Sequence, residues 1–211
     1  MTARAPAKRR AARARLGVFG GTFDPPHLGH LALAEWAREE LALDQVLFVP
    51  AATPPHKRGA RTPVAERLAM VRAAVRGNHA FKVSTLELRR AGPSYTVDTL
   101  RALAARHPGA ELWLLVGADM YATMHTWHEI GALARIAHVA VALRPGSARP
   151  RPAAWSRGGL GVRGLANPGL EISSSGVRAR ARARRSLRYL VPDAVAHHIA
   201  RRGLYAARAG A

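Results

Sequence analysis

The chain has 211 residues, of which 48% are hydrophobic, and it carries a formal net charge of +20 at pH 7 without any cysteine. This composition suits one folded domain with a core of ordinary size, and it excludes disulfides, thiolate metal sites and cysteine nucleophiles. No apolar run approaches the roughly 20 residues that span a bilayer, and none follows the basic N-terminus as in a signal peptide, so we expect a cytoplasmic protein without membrane contact.

The positive charge is concentrated in two segments that lack acidic residues. Residues 1–15 contain six arginines and lysines, and residues 178–188 contain six arginines. Such runs are typical of a solvated tail or a solvated helix face, so we expect no specific nucleic-acid partner. Because residues 1–15 also lack periodicity, they are predicted to form a disordered basic tail ahead of a single domain over residues 16–211.

From Leu16 onward, predicted strands and helices alternate, which is typical of a parallel sheet with crossover helices. Strands are predicted at residues 16–20, 45–49, 81–86, 111–116 and 138–143. Helices are predicted at residues 28–41, 63–76, 96–106, 128–136, 176–188 and 192–202. Residues 145–168 are rich in Pro, Gly and Arg and are predicted to form a surface connection with little regular structure. The predicted fold is therefore α/β, a Rossmann-like open parallel sheet with helices on both faces.

Residues 17–30 join the first predicted strand to the first predicted helix and read Gly-Val-Phe-Gly-Gly-Thr-Phe-Asp-Pro-Pro-His-Leu-Gly-His. Glycine allows the backbone to approach a bound group closely, and a helix N-terminus is a ready anion site. His27 and His30 lie on one side of the first helical turn and can donate to the same anion. The pattern therefore predicts a phosphate site that is neither a dinucleotide fingerprint nor a Walker loop. Because the loop is poor in carboxylates, no metal ligands are predicted.

Four later segments place distinctive residues at the ends of predicted strands or the starts of predicted helices: Thr53–Lys57, Pro93–Thr96, Gly117–Asp119 and Ile172–Arg178. Each has an ordinary structural interpretation, such as a proline-stiffened loop, a helix cap or a flexible serine loop. In open parallel sheets, however, ligands bind outside the carboxyl ends of the strands. The location of these segments therefore favours a nucleotide-sized ligand.

Together these motifs resemble those of the nucleotidyltransferase superfamily, whose signature is His-x-Gly-His. The longer Gly-Gly-Thr-Phe-Asp-Pro-Pro-His-Leu-Gly-His form is similar to bacterial nicotinate-nucleotide adenylyltransferases, and the resemblance covers roughly residues 16–205. It implies that ATP and nicotinate mononucleotide are joined to give nicotinate adenine dinucleotide and pyrophosphate, a step of NAD synthesis. Mg²⁺ would arrive on the triphosphate of ATP.

The resemblance also implies which residues bind ATP. His27 and His30 would contact the phosphates and stabilise charge that develops at the α-phosphorus, and Lys57 and Arg178 would complete the catalytic set. Relatives carry threonine where this chain has Ser175, so the hydroxyl group is retained. The other ATP-binding residues that the resemblance implies are Gly20, Gly21, Thr22, Gly117, Asp119, Ser173, Ser174 and Ser175.

For nicotinate mononucleotide, the resemblance implies two kinds of contact. Backbone N–H groups of Tyr95 and Thr96 would bind the pyridine carboxylate, and Trp127 would stack on the nicotinate ring. Ala51 and Ala52 stand where relatives often carry polar residues near the mononucleotide, so backbone N–H groups would have to replace those side-chain contacts.

Other functions remain open at the level of sequence. Within the superfamily, the acceptor could be nicotinamide mononucleotide or phosphopantetheine. A different class is a basic nucleic-acid-binding protein that has kept an inactive transferase fold. The intact set of His27, His30, Lys57 and Arg178 argues against that last alternative. The sequence does not determine whether the chain forms a homo-oligomer.

Overall fold

A computed structural model describes residues 13–52, 62–143, 153–166 and 169–206. Within these residues the strands are β1 (Arg15–Gly21), β2 (Gln45–Pro50), β3 (Phe81–Val83), β4 (Glu111–Gly117), β5 (His138–Ala142) and β6 (Val162–Leu165). The α-helices are α1 (Leu28–Glu40), α2 (Val64–Ala74), α3 (Thr96–Arg106), α4 (Ala118–Thr123), α5 (Ile130–Ile136), α6 (Ser174–Arg182) and α7 (Asp193–Arg201). None of the helices described is long and apolar enough to cross a membrane.

The six strands form one parallel sheet in the order β3-β2-β1-β4-β5-β6. This confirms the predicted open parallel sheet. Successive strands are added on one side of β1 up to β3 and on its other side from β4 onward, so the topological switch point lies between β1 and β4. The pairing of β1 with β2 continues to Gly21 and Pro50, whereas the pairing of β1 with β4 ends at Val18 and Leu114. A crevice therefore opens between the carboxyl ends of β1 and β4, where ligands bind in sheets of this type.

Helices cover both faces of the sheet, as the sequence predicts. Because successive side chains of a strand point to opposite faces, β4 contributes to two separate cores. Leu112, Leu114 and Val116 belong to the core beneath α3 and α5, while Trp113 and Leu115 belong to the core beneath α1. Burial on both faces explains the nearly continuous apolar sequence of this strand.

The two C-terminal helices pack on α2 instead of on the sheet. Met70 of α2 forms a third core with Val177 of α6 and with Val195 and Ile199 of α7. This packing anchors the C-terminal segment beside the loop that follows β1. The N-terminus of α6 consequently lies next to that loop, because the Ser174 hydroxyl donates to a loop carbonyl at 2.9 Å.

The structure differs from the sequence-based prediction in several elements, and the strand predicted over residues 81–86 ends at Val83. Arg15, which was assigned to the tail, opens β1, and its guanidinium lies 3.1 Å from the carboxylate of Glu111. Residues 162–165, which were assigned to an irregular connection, form β6, where Val162 pairs with Val139 of β5. The Val-Arg-Gly-Leu sequence of β6 lacks the continuous apolar character of a buried parallel strand. Its strand conformation is therefore stabilised by the pairing with β5.

The helix predicted over residues 176–188 is displaced. α6 runs from Ser174 to Arg182. The chain leaves the helix soon afterwards because Arg184 has a left-handed φ of 52°, a conformation that a right-handed helix does not contain. The short helix α4, which directly follows β4, is absent from the sequence-based prediction.

Candidate active site

The loop between β1 and α1 is built around a buried aromatic ring. Phe23 is 2% exposed, and its φ of 49° lies in the left-handed region that residues other than glycine seldom adopt. The ring packs edge-on against Phe19 and His30, with centroid separations of 5.7 and 5.2 Å. A Cβ at Gly21 would lie 3.0 to 3.2 Å from this ring, so a side chain there would require the ring to move by a few tenths of an ångström. A Cβ at Gly20 would meet no described atom within 4 Å, so the backbone there is open to a substrate group.

His27 and His30 come together at the N-terminus of α1, as the sequence predicts. Their ring centroids are 3.6 Å apart, with an interplanar angle of 33°. The backbone N–H of His27 donates to Nδ1 of His30 at 3.2 Å, which leaves Nε2 as the N–H donor of a neutral His30 ring. Burial lowers the pKa of His27 to about 4, so this imidazole is neutral at pH 7.

Gly29 permits the position of His27, a role that the sequence analysis missed. A Cβ on Gly29 would lie 3.1 Å from Nδ1 of His27 and 3.5 Å from the carbonyl oxygen of Leu170, so a side chain would displace the imidazole. The glycine between the two histidines of the His-x-Gly-His pattern was the available signal. Nδ1 of His27 is buried and makes no hydrogen bond to any described residue, which is uncommon for a buried polar atom.

The loop after β2 is held at both of its ends by one guanidinium. Lys57 and its neighbours lie outside the described residues, so the structure places neither the lysine nor its charge. Arg67 of α2 donates to the carbonyl oxygens of Ala52 at 3.4 Å and Thr62 at 3.3 Å, on either side of that segment. The same side chain donates to the Thr22 carbonyl in the loop after β1 at 2.8 Å. Arg67 therefore joins the two loops that follow β1 and β2.

Arg67 is a further residue that the sequence analysis missed. It is 1% exposed and occupies the apolar stripe of α2 with Met70, Val71 and Ala74. The signal in the sequence was a charged residue at a position where the helical repeat of α2 places apolar residues. Burial lowers the pKa of Arg67, and attraction to the Asp24 carboxylate opposes that shift.

The serine-rich motif at the start of α6 lies against the loop after β1. The Ser173 hydroxyl accepts the Gly176 N–H at 3.1 Å and caps the helix, and the Ser175 hydroxyl lies 3.1 Å from it. The neighbouring Ser174 hydroxyl donates to a loop carbonyl, that of Pro25. The motif is therefore brought against the histidine loop, as a shared phosphate site requires.

Arg178 also reaches the loop that follows β1. Its Nη1 donates to the carbonyl oxygen of Asp24 at 2.6 Å, and the side chain makes no other hydrogen bond to the described residues. A guanidinium has five N–H donors in a fork, so one contact leaves most of its donors for another ligand. The structure thus attaches Arg178 to the loop that leads to His27 and His30.

The carboxyl end of β4 supplies the opposite side of the crevice. Gly117 precedes the first turn of α4, and a Cβ on it would meet no described atom within 4 Å. Asp119 is exposed in that first turn, where a carboxylate is favoured by the helix dipole. Both residues lie where the sequence predicts, at the end of the strand that faces β1. The described residues contain no group of three or more His, Asp or Glu side chains that could hold a metal ion.

The start of α3 contacts the turn that carries Trp127. The Tyr95 ring stacks on the ring of His128, the next residue after Trp127, with 4.3 Å between centroids and an angle of 27°. An ion pair between Arg101 of α3 and Glu129, with Nη1 and Oε1 3.2 Å apart, holds the same two segments together. The structure therefore brings the start of α3 to the turn that carries Trp127.

Only one of the two amides predicted to bind a carboxylate is without a hydrogen bond to the described residues. The Tyr95 N–H donates to the carbonyl oxygen of Pro93 at 3.1 Å, and its contact with a carboxylate stays a prediction. Thr96 is the first residue of α3, where amides have no partner within the helix, and its N–H makes no hydrogen bond to any described residue. The geometry therefore selects Thr96 as the amide that an anion could reach.

The amides of Ala51 and Ala52 are occupied within the protein. The Ala51 N–H donates to the carbonyl oxygen of Gly21 at 2.9 Å, and the Ala52 N–H donates to the Ser94 hydroxyl at 3.2 Å. These two amides therefore attach the loop after β2 to its neighbours on either side. The expectation that backbone N–H groups replace the missing side-chain contacts stays a prediction.

A buried carboxyl group supports the start of α3. Glu87 is 6% exposed, and the hydroxyl of Thr99 donates to its Oε1 at 2.7 Å. Burial raises the pKa of Glu87, while hydrogen bonds with Thr99 and Ser94 act in the opposite direction. Because Ser94 also accepts the Ala52 amide, Glu87 helps to fix the first turn of α3 against the loop after β2.

Comparisons with known proteins agree with this geometry. The cytidylyltransferase-like family model matches residues 18–180. A probable nicotinate-nucleotide adenylyltransferase from Exiguobacterium sibiricum is 45% identical, over 91% of this chain and 99% of the relative. One from Thermomicrobium roseum is 47% identical, over 90% of this chain and 91% of the relative.

Solved structures share the fold at low sequence identity. Nicotinic acid mononucleotide adenylyltransferase of Plasmodium falciparum, complexed with NaAD, has a TM-score of 0.74 and 17% identity, over 92% of this chain and 98% of that one. A putative nicotinate-nucleotide adenylyltransferase from Vibrio parahaemolyticus has a TM-score of 0.67 and 17% identity, over 91% and 95% of the two chains. These likenesses extend across almost the whole sheet and its helices.

The buried His27 makes stability depend on pH in a defined direction. The unfolded chain takes up this proton near pH 6.5, whereas the folded protein takes it up only near pH 4. Lowering the pH through this window therefore favours the unfolded chain. We expect the free energy of unfolding to fall by up to about 3 kcal/mol more in the wild type than in His27→Gln, measured by urea denaturation. Equal pH dependence in both proteins would contradict a buried neutral imidazole.

Gly29→Ala should disturb His27 without removing any hydrogen-bonding group. The added methyl group would contact the imidazole and displace it, while alanine is favoured over glycine within a helix. We expect a small change in Tm and a reduction of kcat by about tenfold or more. The matched control is Gly131→Ala in α5, where the new Cβ would lie 3.9 Å from the nearest atom, an arginine side chain. Equal kcat in the two variants would show that the position of His27 is unimportant.

Proposed function

This chain belongs to the nicotinate-nucleotide adenylyltransferases, within the cytidylyltransferase-like family, and from that membership we propose which of its groups carry out the reaction. The enzyme joins ATP and nicotinate mononucleotide to form nicotinate adenine dinucleotide and pyrophosphate, in NAD biosynthesis. One observation supports this function above others. The N-termini of α1 and α6 both border the loop that follows β1, where Ser174 and Arg178 donate to loop carbonyls and the backbone of Gly20 is open.

The chemistry of this reaction requires no general base. The nucleophile is a phosphate oxygen of nicotinate mononucleotide, which is already ionised at pH 7. It forms a bond to the α-phosphorus of ATP, while the bond from that phosphorus to the bridging oxygen breaks and pyrophosphate leaves with the electron pair. Two anions must therefore be brought together in line, so positioning and positive electrostatic potential supply the catalysis.

We propose that His27, His30, Lys57 and Arg178 perform this work. The N-termini of α1 and α6 both border the loop after β1 and favour negative charge there, and the His27 amide fixes the orientation of the His30 ring by donating to its Nδ1. The His27 ring lies against that of His30, with 3.6 Å between the ring centroids, so that one phosphate group would meet both rings. Lys57 enters the proposal through its motif and the family, since it lies outside the described residues.

The rest of ATP would lie along the crevice between β1 and β4. Open backbone at Gly20 and Gly117 would allow the nucleotide to approach both strands, and Asp119 would accept hydrogen bonds from the ribose hydroxyls. Further contacts to ATP are proposed for Gly21, Thr22, Ser173, Ser174 and Ser175, which border the same loop.

For the acceptor, we propose that the N-terminus of α3 binds the pyridine carboxylate through the Thr96 N–H. The contact between Tyr95 and His128 supports this proposal, because it brings the turn that carries Trp127 to the start of α3. Trp127 would then stack on the nicotinate ring. The role of Tyr95 is to shape the pocket through its ring, since its own amide is occupied.

We propose that Mg²⁺ enters the site bound to ATP. The described donors around the histidine loop are imidazole, hydroxyl and guanidinium groups, which suit phosphate oxygens better than they suit Mg²⁺. MgATP is accordingly treated as the substrate, with the ion neutralising part of the triphosphate charge. We further propose that the domain comprises residues 15–211, because Arg15 belongs to β1, that residues 1–14 are a basic tail, and that the enzyme works in the cytoplasm.

His30→Ala tests the proposed phosphate site. Loss of one preorganised donor to the charge of the transition state should lower kcat by about 10²-fold or more, with little change in Tm. His30→Gln, which retains an N–H donor, should recover part of this loss. The matched control is His79→Ala, an exposed histidine shortly before β3, which should behave as the wild type. Steady-state pyrophosphate release measures the effect, and normal turnover in folded His30→Ala would exclude the proposed role.

Thr96→Pro tests the acceptor site by removing one amide. Proline is accepted at the first position of a helix, and the extended conformation of Tyr95 (φ −80°, ψ 131°) suits the residue before a proline. We expect the wild type to prefer nicotinate over nicotinamide mononucleotide by at least about tenfold in kcat/KM. In Thr96→Pro this preference should largely disappear because KM for nicotinate mononucleotide rises.

The matched control for this experiment is Thr96→Ala, which removes the side-chain hydroxyl but keeps the amide and should retain the preference. A wild type that uses both acceptors equally would refute the proposed carboxylate site. Loss of the preference in Thr96→Ala as well would assign selectivity to the hydroxyl group.

A further inference from the structure

The last described turn of the chain reaches the loop that carries His27. The hydroxyl of Tyr205 donates to Oδ1 of Asp24 at 2.7 Å, across 181 positions of sequence. Tyr205 has a left-handed φ of 65°, which non-glycine residues adopt only where the surrounding structure enforces it. The end of the chain is therefore fixed in an unfavourable backbone conformation where its side chain meets this loop.

The same hydroxyl also interacts with the loop that follows β2. Thr62, which is 6% exposed, forms a side-chain hydrogen bond with Tyr205. This hydrogen bond favours the charged form of Tyr205, as expected when the Thr62 hydroxyl donates. Burial has the larger effect and raises the pKa of Tyr205, so its hydroxyl remains protonated and donates to Asp24. One hydroxyl thus connects the loop after β2 to the loop after β1.

Asp24 is held from several directions at once. The residue is 5% exposed, and its carboxylate attracts the buried guanidinium of Arg67. Its carbonyl oxygen accepts the hydrogen bond from Arg178, so backbone and side chain are both fixed. A buried carboxylate needs such partners, and losing one of them should shift the group. His27 lies three residues beyond Asp24, so a shift of Asp24 would be transmitted to the imidazole.

We infer that Tyr205 is a positioning residue for catalysis: its hydroxyl couples Thr62 to Asp24 and so fixes the loop that presents His27 and His30 to ATP. This inference rests on the proposed function. The acceptor pocket at the start of α3 is formed by other residues, so the effect should fall on turnover and not on binding of nicotinate mononucleotide. The C-terminal segment thereby contributes to catalysis without touching substrate.

Tyr205→Phe removes only the hydroxyl and keeps the packed ring. We expect kcat to fall about tenfold while KM for nicotinate mononucleotide stays within about twofold of the wild type. The matched control is Tyr189→Phe, which removes a hydroxyl from a tyrosine that is 76% exposed and should leave kcat unchanged. Activities are measured well below the Tm of each variant, so that loss of folded protein does not contribute. Unchanged kcat in Tyr205→Phe would overturn the inference.

Thr62→Val provides a second variant and a coupling test. If Thr62 acts through the Tyr205 hydroxyl, the double variant Thr62→Val/Tyr205→Phe should be no slower than Tyr205→Phe alone. Losses of kcat that multiply would show independent roles and overturn the proposed coupling.

A spectroscopic measurement separates this inference from the proposed function. Long-range ¹H–¹⁵N spectra of the imidazole groups report the surroundings of His27 and His30 without any turnover. We expect Tyr205→Phe to shift at least one of these signals and Tyr189→Phe to shift neither. If Tyr205→Phe shifts a signal but the wild type does not consume nicotinate mononucleotide, the proposed function is refuted and the coupling stands. Unshifted signals in Tyr205→Phe beside an active wild type would refute the coupling alone.

Discussion

The site depends on one constraint: the carbonyl oxygens of the loops after β1 and β2 accept hydrogen bonds from side chains of the protein. A carbonyl oxygen that faced a triphosphate would repel it, so these groups need donors within the protein. Arg67, Arg178 and Ser174 supply those donors from helices that begin far along the chain. The carbonyls they engage belong to Thr22, Asp24, Pro25, Ala52 and Thr62. With these oxygens occupied, positive helix termini, imidazole and guanidinium groups dominate the electrostatic environment that a phosphate would meet.

The two substrates draw on different parts of the same sheet. The reacting phosphates would be held at β1, where α1 and α6 begin, while the pyridine group would be held at the start of α3 and the turn after α4. Contacts such as the Ala52 amide to the Ser94 hydroxyl connect these parts through the loop after β2. This separation explains why one substitution is expected to change turnover and another to change the choice of acceptor. Catalysis here depends on alignment, so rigid links between the loops matter as much as the groups that touch substrate.

Local patterns predicted most of the fold and the main site residues. The bounds of α1 and α3 follow from periodicity and helix-start signals, and the histidine pair lies where its spacing requires. The predictions failed where a contact with a distant segment decides the structure. Strand β6 exists because Val162 pairs with Val139 of β5, although its own sequence does not indicate a buried strand. Arg67 was overlooked because an arginine on a helix is usually solvated, and only its apolar neighbours distinguish it.

The sequence by itself determined the alternation of strands and helices, the histidine spacing and the order of the phosphate-binding motifs. These features depend on residues close together in the chain, where backbone geometry limits the outcomes. Only the tertiary structure decided that β1 and β4 separate to open a crevice. It also decided that Arg67 and Tyr205 contact the loop after β1 across 45 and 181 positions of sequence. Such contacts depend on how the sheet and the C-terminal helices pack, because a side chain's own neighbours in sequence carry no information about which distant carbonyl or carboxylate it will meet.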